Sequence, residues 1–95
     1  MIERYEDIER LTILGIKKLV AGARGDHVLF KPKKLAKIAG LSTKPVTLTL
    51  VRHVLEELRA KGIVDLWSTN SHGYKYIITR DSPLWKEVKA EVMME

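Results

Sequence analysis

The sequence predicts one α+β domain made of four helices, a short strand and a β-hairpin, and three observations support this. A chain of 95 residues that is 45% apolar and 31% charged has the size and composition of an ordinary single globular domain. Four segments place apolar residues at helical spacing, with proline or glycine near their ends. Two runs rich in Trp, Tyr, Ile, Val and Thr flank the loop Asn70-Ser71-His72-Gly73. Residues 1–80 are expected to form the main body, and residues 81–95 the last helix.

The first helix is predicted over residues 3–23, because Tyr5, Ile8 and the apolar residues after them follow a helical repeat. Gly15 lies inside this apolar stripe, where glycine costs roughly 1 kcal/mol relative to alanine. We therefore expect Gly15 to permit a close approach by another helix. The sequence GARGD at residues 22–26 ends the helix.

A short strand and a short helix are predicted next. The apolar run at residues 28–30 is too short for more than an edge strand. Pro32 suits a first helical position, where its missing N–H is not needed. A helix over residues 33–39 would then bury its leucine, isoleucine and alanines and turn its lysines outward, with Gly40 as its stop.

The turn LSTKPV leads into a longer helix whose start is open. Ser42 or Thr43 can cap a helix that has Pro45 in its first turn, whereas Thr47 can cap a shorter one. We favour Thr47, because proline disfavours helical geometry at the residue before it. The predicted helix therefore covers residues 47–61.

The hairpin and the last helix complete the chain. The β-prone runs at residues 63–69 and 74–80 have the composition of paired strands, and the four residues between them suit a hairpin loop. Ser82 is expected to cap the last helix, with Pro83 at its first position.

Positive charge is concentrated in one part of the chain. Residues 31–62 contain eight Lys or Arg and two Glu, whereas residues 1–30 contain five of each sign. A near-neutral body with one basic segment is typical of a protein that binds a polyanion. The alternative is a solvated lysine-rich surface.

Several other classes of function are disfavoured. There is no cysteine, which excludes disulfides and thiolate metal sites, and the three histidines lie in different predicted elements without metal-ligand spacing. Without a phosphate-cradling glycine loop or a nucleophile motif, no catalytic residue, cofactor, metal or small-molecule substrate is predicted. No apolar run reaches the ~18–20 residues needed to span a bilayer. The charged N-terminus does not resemble a signal peptide, so the expected location is the cytoplasm.

The predicted order of elements resembles the winged helix-turn-helix domain over nearly the whole chain. The sequence KKLAKIAGL is similar to the second helix of that family, and LEELRAKGIV is similar to the end of a recognition helix leading into the first wing strand. The turn LSTKPV is longer than the commonest form in that family. The residue at which the recognition helix begins, and hence the register of its first turn, is therefore left open. The resemblance implies a sequence-specific regulator of transcription that binds duplex DNA. The absence of Gln and the single Asn further resemble thermophile composition, as in regulators of thermophilic archaea or their viruses.

A helix about 10–12 Å across fits the major groove, where outward side chains meet base edges. Arg52 can contact guanine, threonines can meet a base, a phosphate or a thymine methyl, and His53 can donate to a phosphate. The alternative for Arg52 is a solvated pair with Glu56. The predicted recognition residues are Thr47, Thr49, Arg52, His53 and Glu56. Phosphate contacts are expected from Lys33, Lys34, Lys37 and Lys44, and wing contacts from Asn70, Ser71, His72 and Lys75.

A homodimer is also expected, since two recognition helices one DNA turn apart would read a palindromic site. The predicted interface consists of Tyr5, Ile8, Trp85, Val88 and Val92, although Trp85 also suits a core position against the first helix. Two alternative functions remain. One is a winged-helix subunit that contacts another protein through Trp67 or Trp85, and the other is non-specific binding of RNA or chromatin.

Overall fold

Four helices and a three-stranded antiparallel sheet form the part of the chain that the structure describes. The structure, a computed structural model, describes residues 4–70 and 73–94, the last two by their backbone alone. The elements are α1 (Tyr5–Ala21), β1 (His27–Phe30), α2 (Pro32–Ile38), α3 (Pro45–Ala60), β2 (Asp65–Asn70), β3 (Gly73–Thr79) and α4 (Pro83–Met94). The predicted α+β class and order of elements are confirmed. None of the described helices is both long and apolar enough to cross a membrane.

Proline begins three of the four helices. Pro32, Pro45 and Pro83 each occupy a first helical position, where the missing N–H leaves no hydrogen bond unmade. The prediction that α3 begins at Thr47 is wrong. Lys44 is the N-cap residue with ψ of 151°, and its extended backbone is both what a residue before proline prefers and what an N-cap requires. The extended backbone that Pro45 imposes on Lys44 therefore makes Lys44 the N-cap and starts the helix at Pro45, two residues before the predicted start.

The central strand of the sheet is β3, which pairs with β1 on one side and β2 on the other. Phe30 lies opposite Tyr76, and these two rings stack in the core with centroids 6.2 Å apart. The predicted edge position of β1 is confirmed. On the other side the register shifts between Leu66 and Ser68, so that Trp67 is an extra residue in β2.

The core lies among the helices and the inner face of the sheet. Gly15 is buried on α1, and a Cβ there would lie 3.0 Å from Leu35 Cδ1 and 3.2 Å from Ala39 Cβ. The expected close approach at Gly15 is confirmed, and α2 is the partner. The Ser82 hydroxyl donates to the Ile63 carbonyl at 2.6 Å, while the Ser82 carbonyl accepts a hydrogen bond from the Lys86 N–H in the first turn of α4.

The side chains predicted for a dimer interface are mostly core residues. Ile8, Trp85 and Val88 are buried, because α1 and α4 cover each other's apolar faces within one chain. These three therefore do not form the exposed face that the prediction required. Tyr5 is half-buried, and Val92 is 46% exposed.

Candidate nucleic-acid interface

Five lysines converge on one groove between α2 and the sheet. The groove has a volume of about 470 Å³ and is lined by Leu29, Phe30, Lys31, Lys33, Lys34, Lys37 and Lys75. None of these lining residues carries a carboxylate. Among the described residues, no Asp or Glu forms an ion pair with any of the five lysines of this lysine groove. Their positive charge is left for solvent or for an anionic ligand.

Two features of the fold bring these lysines together. The short helix α2 buries Pro32, Leu35 and Ala36, so Lys33, Lys34 and Lys37 lie on its exposed side. The Phe30–Tyr76 pairing then places Lys31, just beyond β1, near Lys75. The sequence assigned Lys75 to the wing, but the structure groups it with the lysines of α2.

Two of the lysine assignments also change. Lys31 was not predicted as a site residue, although its position in the basic segment and before Pro32 was visible in the sequence. Lys44 was predicted with the α2 lysines, but it lies at the start of α3 and does not line the groove.

Two tyrosines hold α3 from opposite sides. The Tyr76 hydroxyl on β3 donates to Glu56 Oε2 at 2.8 Å, and the Tyr5 hydroxyl on α1 donates to Glu57 Oε1 at 2.7 Å. Burial, and after it the hydrogen bond to a carboxylate, raise the pKa of both tyrosines from 10.0 to about 12. Because the two glutamates are adjacent on the helix, the two bonds fix the rotation of α3 about its axis.

Arg52 does not have the outward position predicted for it. Its guanidinium lies 3.8 Å from the centroid of the Tyr74 ring on β3, and its Nε is buried without a partner among the described residues. The alternative pairing with Glu56 is not formed either, since Glu56 accepts hydrogen bonds from Tyr76 and from Arg59, the latter at 3.1 Å. Arg52 instead joins α3 to the hairpin, and Glu56 is held by the same interface.

The outward side of α3 presents Val46, Thr49 and His53, which we call the α3 outer face. Val46 is 74% exposed, and Thr49 donates its hydroxyl to the Pro45 carbonyl at 2.9 Å. His53 Nε2 lies 3.0 Å from Glu57 Oε1. Val46 was missed because the predicted helix began too late. A start at Pro45 places Val46, Thr49 and His53 at spacings of three and four residues, which form one stripe. Thr47, predicted as a recognition residue, is half-buried.

The predicted wing is described only in part. Ser71 and His72 lie outside the described residues, whereas Asn70 ends β2 and Gly73 begins β3. Within residues 4–70 and 73–94, no three His, Asp or Glu side chains are grouped so that they could hold a metal ion. Comparisons with protein-family models, curated proteins and solved structures find no match to this chain.

Proposed function

We propose that this protein is a winged-helix regulator of transcription that binds duplex DNA, with α3 in the major groove and phosphates in the lysine groove. The observation that carries the proposal is the convergence of five lysines, without a carboxylate among the lining residues, beside the α2–turn–α3 unit. Such a cluster attracts a polyanion and gives affinity that depends on salt but not on sequence.

The topology supports the duplex as the polyanion. The order α1, β1, α2, α3, β2, β3 with a β1–β3–β2 sheet is compatible with a winged-helix layout, in which the helix after the turn enters the groove. The bonds from Tyr5 and Tyr76 hold α3 in a fixed orientation, and a fixed orientation is what base readout requires.

Base readout is assigned to the α3 outer face. The methyl groups of Val46 and Thr49 suit contact with thymine methyls, and His53 can donate to a base or a phosphate. Arg52, whose guanidinium lies on the Tyr74 ring, has a positioning role between α3 and the hairpin. A homodimer on a palindromic site remains part of the proposal, with Tyr5 and Val92 as the accessible members of the originally predicted interface.

The test is a shift assay with random-sequence duplex DNA at low and moderate salt, together with the mass of the protein in solution. The proposal expects binding that weakens steeply with salt, by a species of twice the monomer mass. A selected operator should then lose affinity when Val46 is replaced by Asp, while random DNA loses much less. Absence of duplex binding even at low salt would contradict the proposal and favour a winged helix that contacts another protein.

A further inference from the structure

The sheet has a second face that none of the described helices covers. Tyr74 and Tyr76 point toward α3, so the alternate residues of β3 point the other way. We call this the outer sheet face, and it carries His27, Leu29, Asp65, Trp67, Ser68, Lys75, Ile77 and Thr79. Among the described residues it holds the most exposed aromatic side chain, since Trp67 is 58% exposed whereas Trp85 is 5% exposed.

Strand alternation places Trp67 on the outer sheet face, because its neighbour Leu66 pairs with Tyr76, which points toward α3. Leu66 pairs with Tyr76 and Ser68 with Lys75, which leaves Trp67 as the extra residue between two successive pairs. Trp67 lies there beside Ile77 and Thr79 in a shallow depression.

The depression at Trp67 lies next to the lysine groove on the same face of the sheet. Leu29 lines the groove and pairs with Ile77, which lines the depression. Lys75 lines the groove and precedes Ile77 on the same face of β3. A ligand on the outer sheet face would therefore meet a cluster of positive charge at one end and an exposed indole ring at the other.

We propose that the outer sheet face binds single-stranded nucleic acid, with its phosphates in the lysine groove and an unpaired base stacked on Trp67. Single strands are held in this general way, by a basic groove that follows the backbone and by aromatic rings that stack on bases of any sequence. The site shares its lysines with the proposed duplex interface but uses no residue of α3.

The charges at the Trp67 end fix the orientation of the strand. The depression is bordered by Asp26, Arg80 and Asp81, and Asp65 lies opposite Ile77 on the same face. The hydrogen bond from His27 lowers the pKa of the Asp26 carboxyl. Mixed charge of this kind does not attract a phosphate, whereas the five lysines do. The base therefore belongs at Trp67 and the backbone at the groove.

Charge also argues against a second copy of this chain as the occupant. A symmetric dimer through the outer sheet face would bring two lysine grooves to the same interface, because a two-fold contact uses the same patch on both subunits. Like charges in such a contact oppose association. A polyanionic strand instead neutralises the lysines.

The experiment measures binding of a fluorescein-labelled 12-residue oligothymidylate by anisotropy, with tryptophan fluorescence as a second readout. Trp67→Ala should weaken oligothymidylate binding by roughly 5- to 140-fold, the usual effect of removing a stacked aromatic ring. Trp67→Phe should retain most of the affinity. Leu14→Ala removes an exposed apolar residue from α1 and is the matched control, which should bind like the unmodified protein. In the unmodified protein, bound oligothymidylate should quench the exposed indole of Trp67.

Other results would overturn the proposal. Unchanged oligothymidylate affinity in Trp67→Ala would contradict it. An equal loss of affinity for oligothymidylate and for random duplex DNA in Trp67→Ala would also contradict it. A dimer that Trp67→Ala converts to monomer would assign the face to a second copy. If the unmodified protein binds oligothymidylate with the expected dependence on Trp67 but does not bind duplex DNA, the proposed duplex function is contradicted and this site is supported.

Discussion

Replacement of Lys75 by alanine tests whether the lysine groove binds the phosphate backbone. Lys75 is the sensitive position because it lies on β3, whereas Lys33, Lys34 and Lys37 lie on α2. Only the pairing of β1 with β3 brings it to the groove. If the groove acts as one phosphate site, Lys75→Ala should behave like an alanine substitution on α2.

The expected magnitude follows from counterion release. Each phosphate neutralised on duplex DNA contributes ~0.9 to the slope of log affinity against log salt, so the five groove lysines contribute at most ~4.5. Between 50 and 200 mM salt a slope of ~4.5 corresponds to a loss of affinity of ~500-fold. Lys75→Ala should lower the slope to ~3.6 and this loss to ~150-fold.

The assay is a salt titration of duplex binding for three proteins: the unmodified chain, Lys75→Ala and Lys86→Ala. Lys86 is an exposed lysine on α4, an element that contributes nothing to the groove, so its removal changes net charge equally but should leave the slope unchanged. A slope for Lys75→Ala that equals the unmodified value, while Lys33→Ala lowers it, would refute the shared phosphate site. An equal decrease in slope for Lys86→Ala would show that net charge alone is responsible.

Three further predictions concern the contacts that hold α3 and α1. Arg52→Met keeps the apolar stem but removes the charge over Tyr74, and urea unfolding should show a free energy of unfolding lower by ~0.5–2 kcal/mol. The preference for operator over random DNA should not change. Tyr76→Phe removes the bond to Glu56 and should cost roughly 1.5–3 kcal/mol near neutral pH. The pKa of Tyr76 is raised from 10.0 to about 12 in the folded chain, so its contribution to stability is full below pH 10 and is lost between pH 10 and 12. The free energy of unfolding should therefore fall less across that pH range in Tyr76→Phe than in the unmodified protein. Gly15→Leu inserts a side chain where a Cβ already meets α2 at 3.0 Å, and thermal unfolding should show a loss of ~1–3 kcal/mol; unchanged stability would mean that α1 and α2 can separate freely.

Local chemistry made the elements predictable. The positions of Pro32 and Pro83 at helix starts, the glycine in α1 and the composition of the hairpin all depend on residues close in sequence. The one wrong helix start shows the limit of such rules. Lys44 prefers an extended backbone because Pro45 follows it, and this preference fits a helix that starts at Pro45 as well as one that starts at Thr47. Local sequence does not choose between these two starts.

The site depended on contacts between residues distant in sequence, and these were not predictable. Helical periodicity placed Arg52 on the exposed side of α3, but Tyr74 on β3 covers it. The grouping of Lys75 with the α2 lysines requires the register of β1 on β3, and the bulge at Trp67 is visible only in the pairing of β2 with β3. No spacing within one element of the sequence indicates any of these pairings.

The charge distribution separates affinity from readout. On α3, the carboxylates of Glu56 and Glu57 accept bonds from Tyr76 and Tyr5, and Arg52 is stacked on Tyr74, so the α3 outer face carries little free positive charge. A cluster of five lysines without an ion pair among the described residues lies in the lysine groove instead. If α3 reads bases as proposed, it should add little non-specific attraction, since non-specific affinity comes from phosphate contacts. Substitutions on the α3 outer face and in the lysine groove should therefore act on different quantities, the first on the ratio of operator to random affinity and the second on the salt slope.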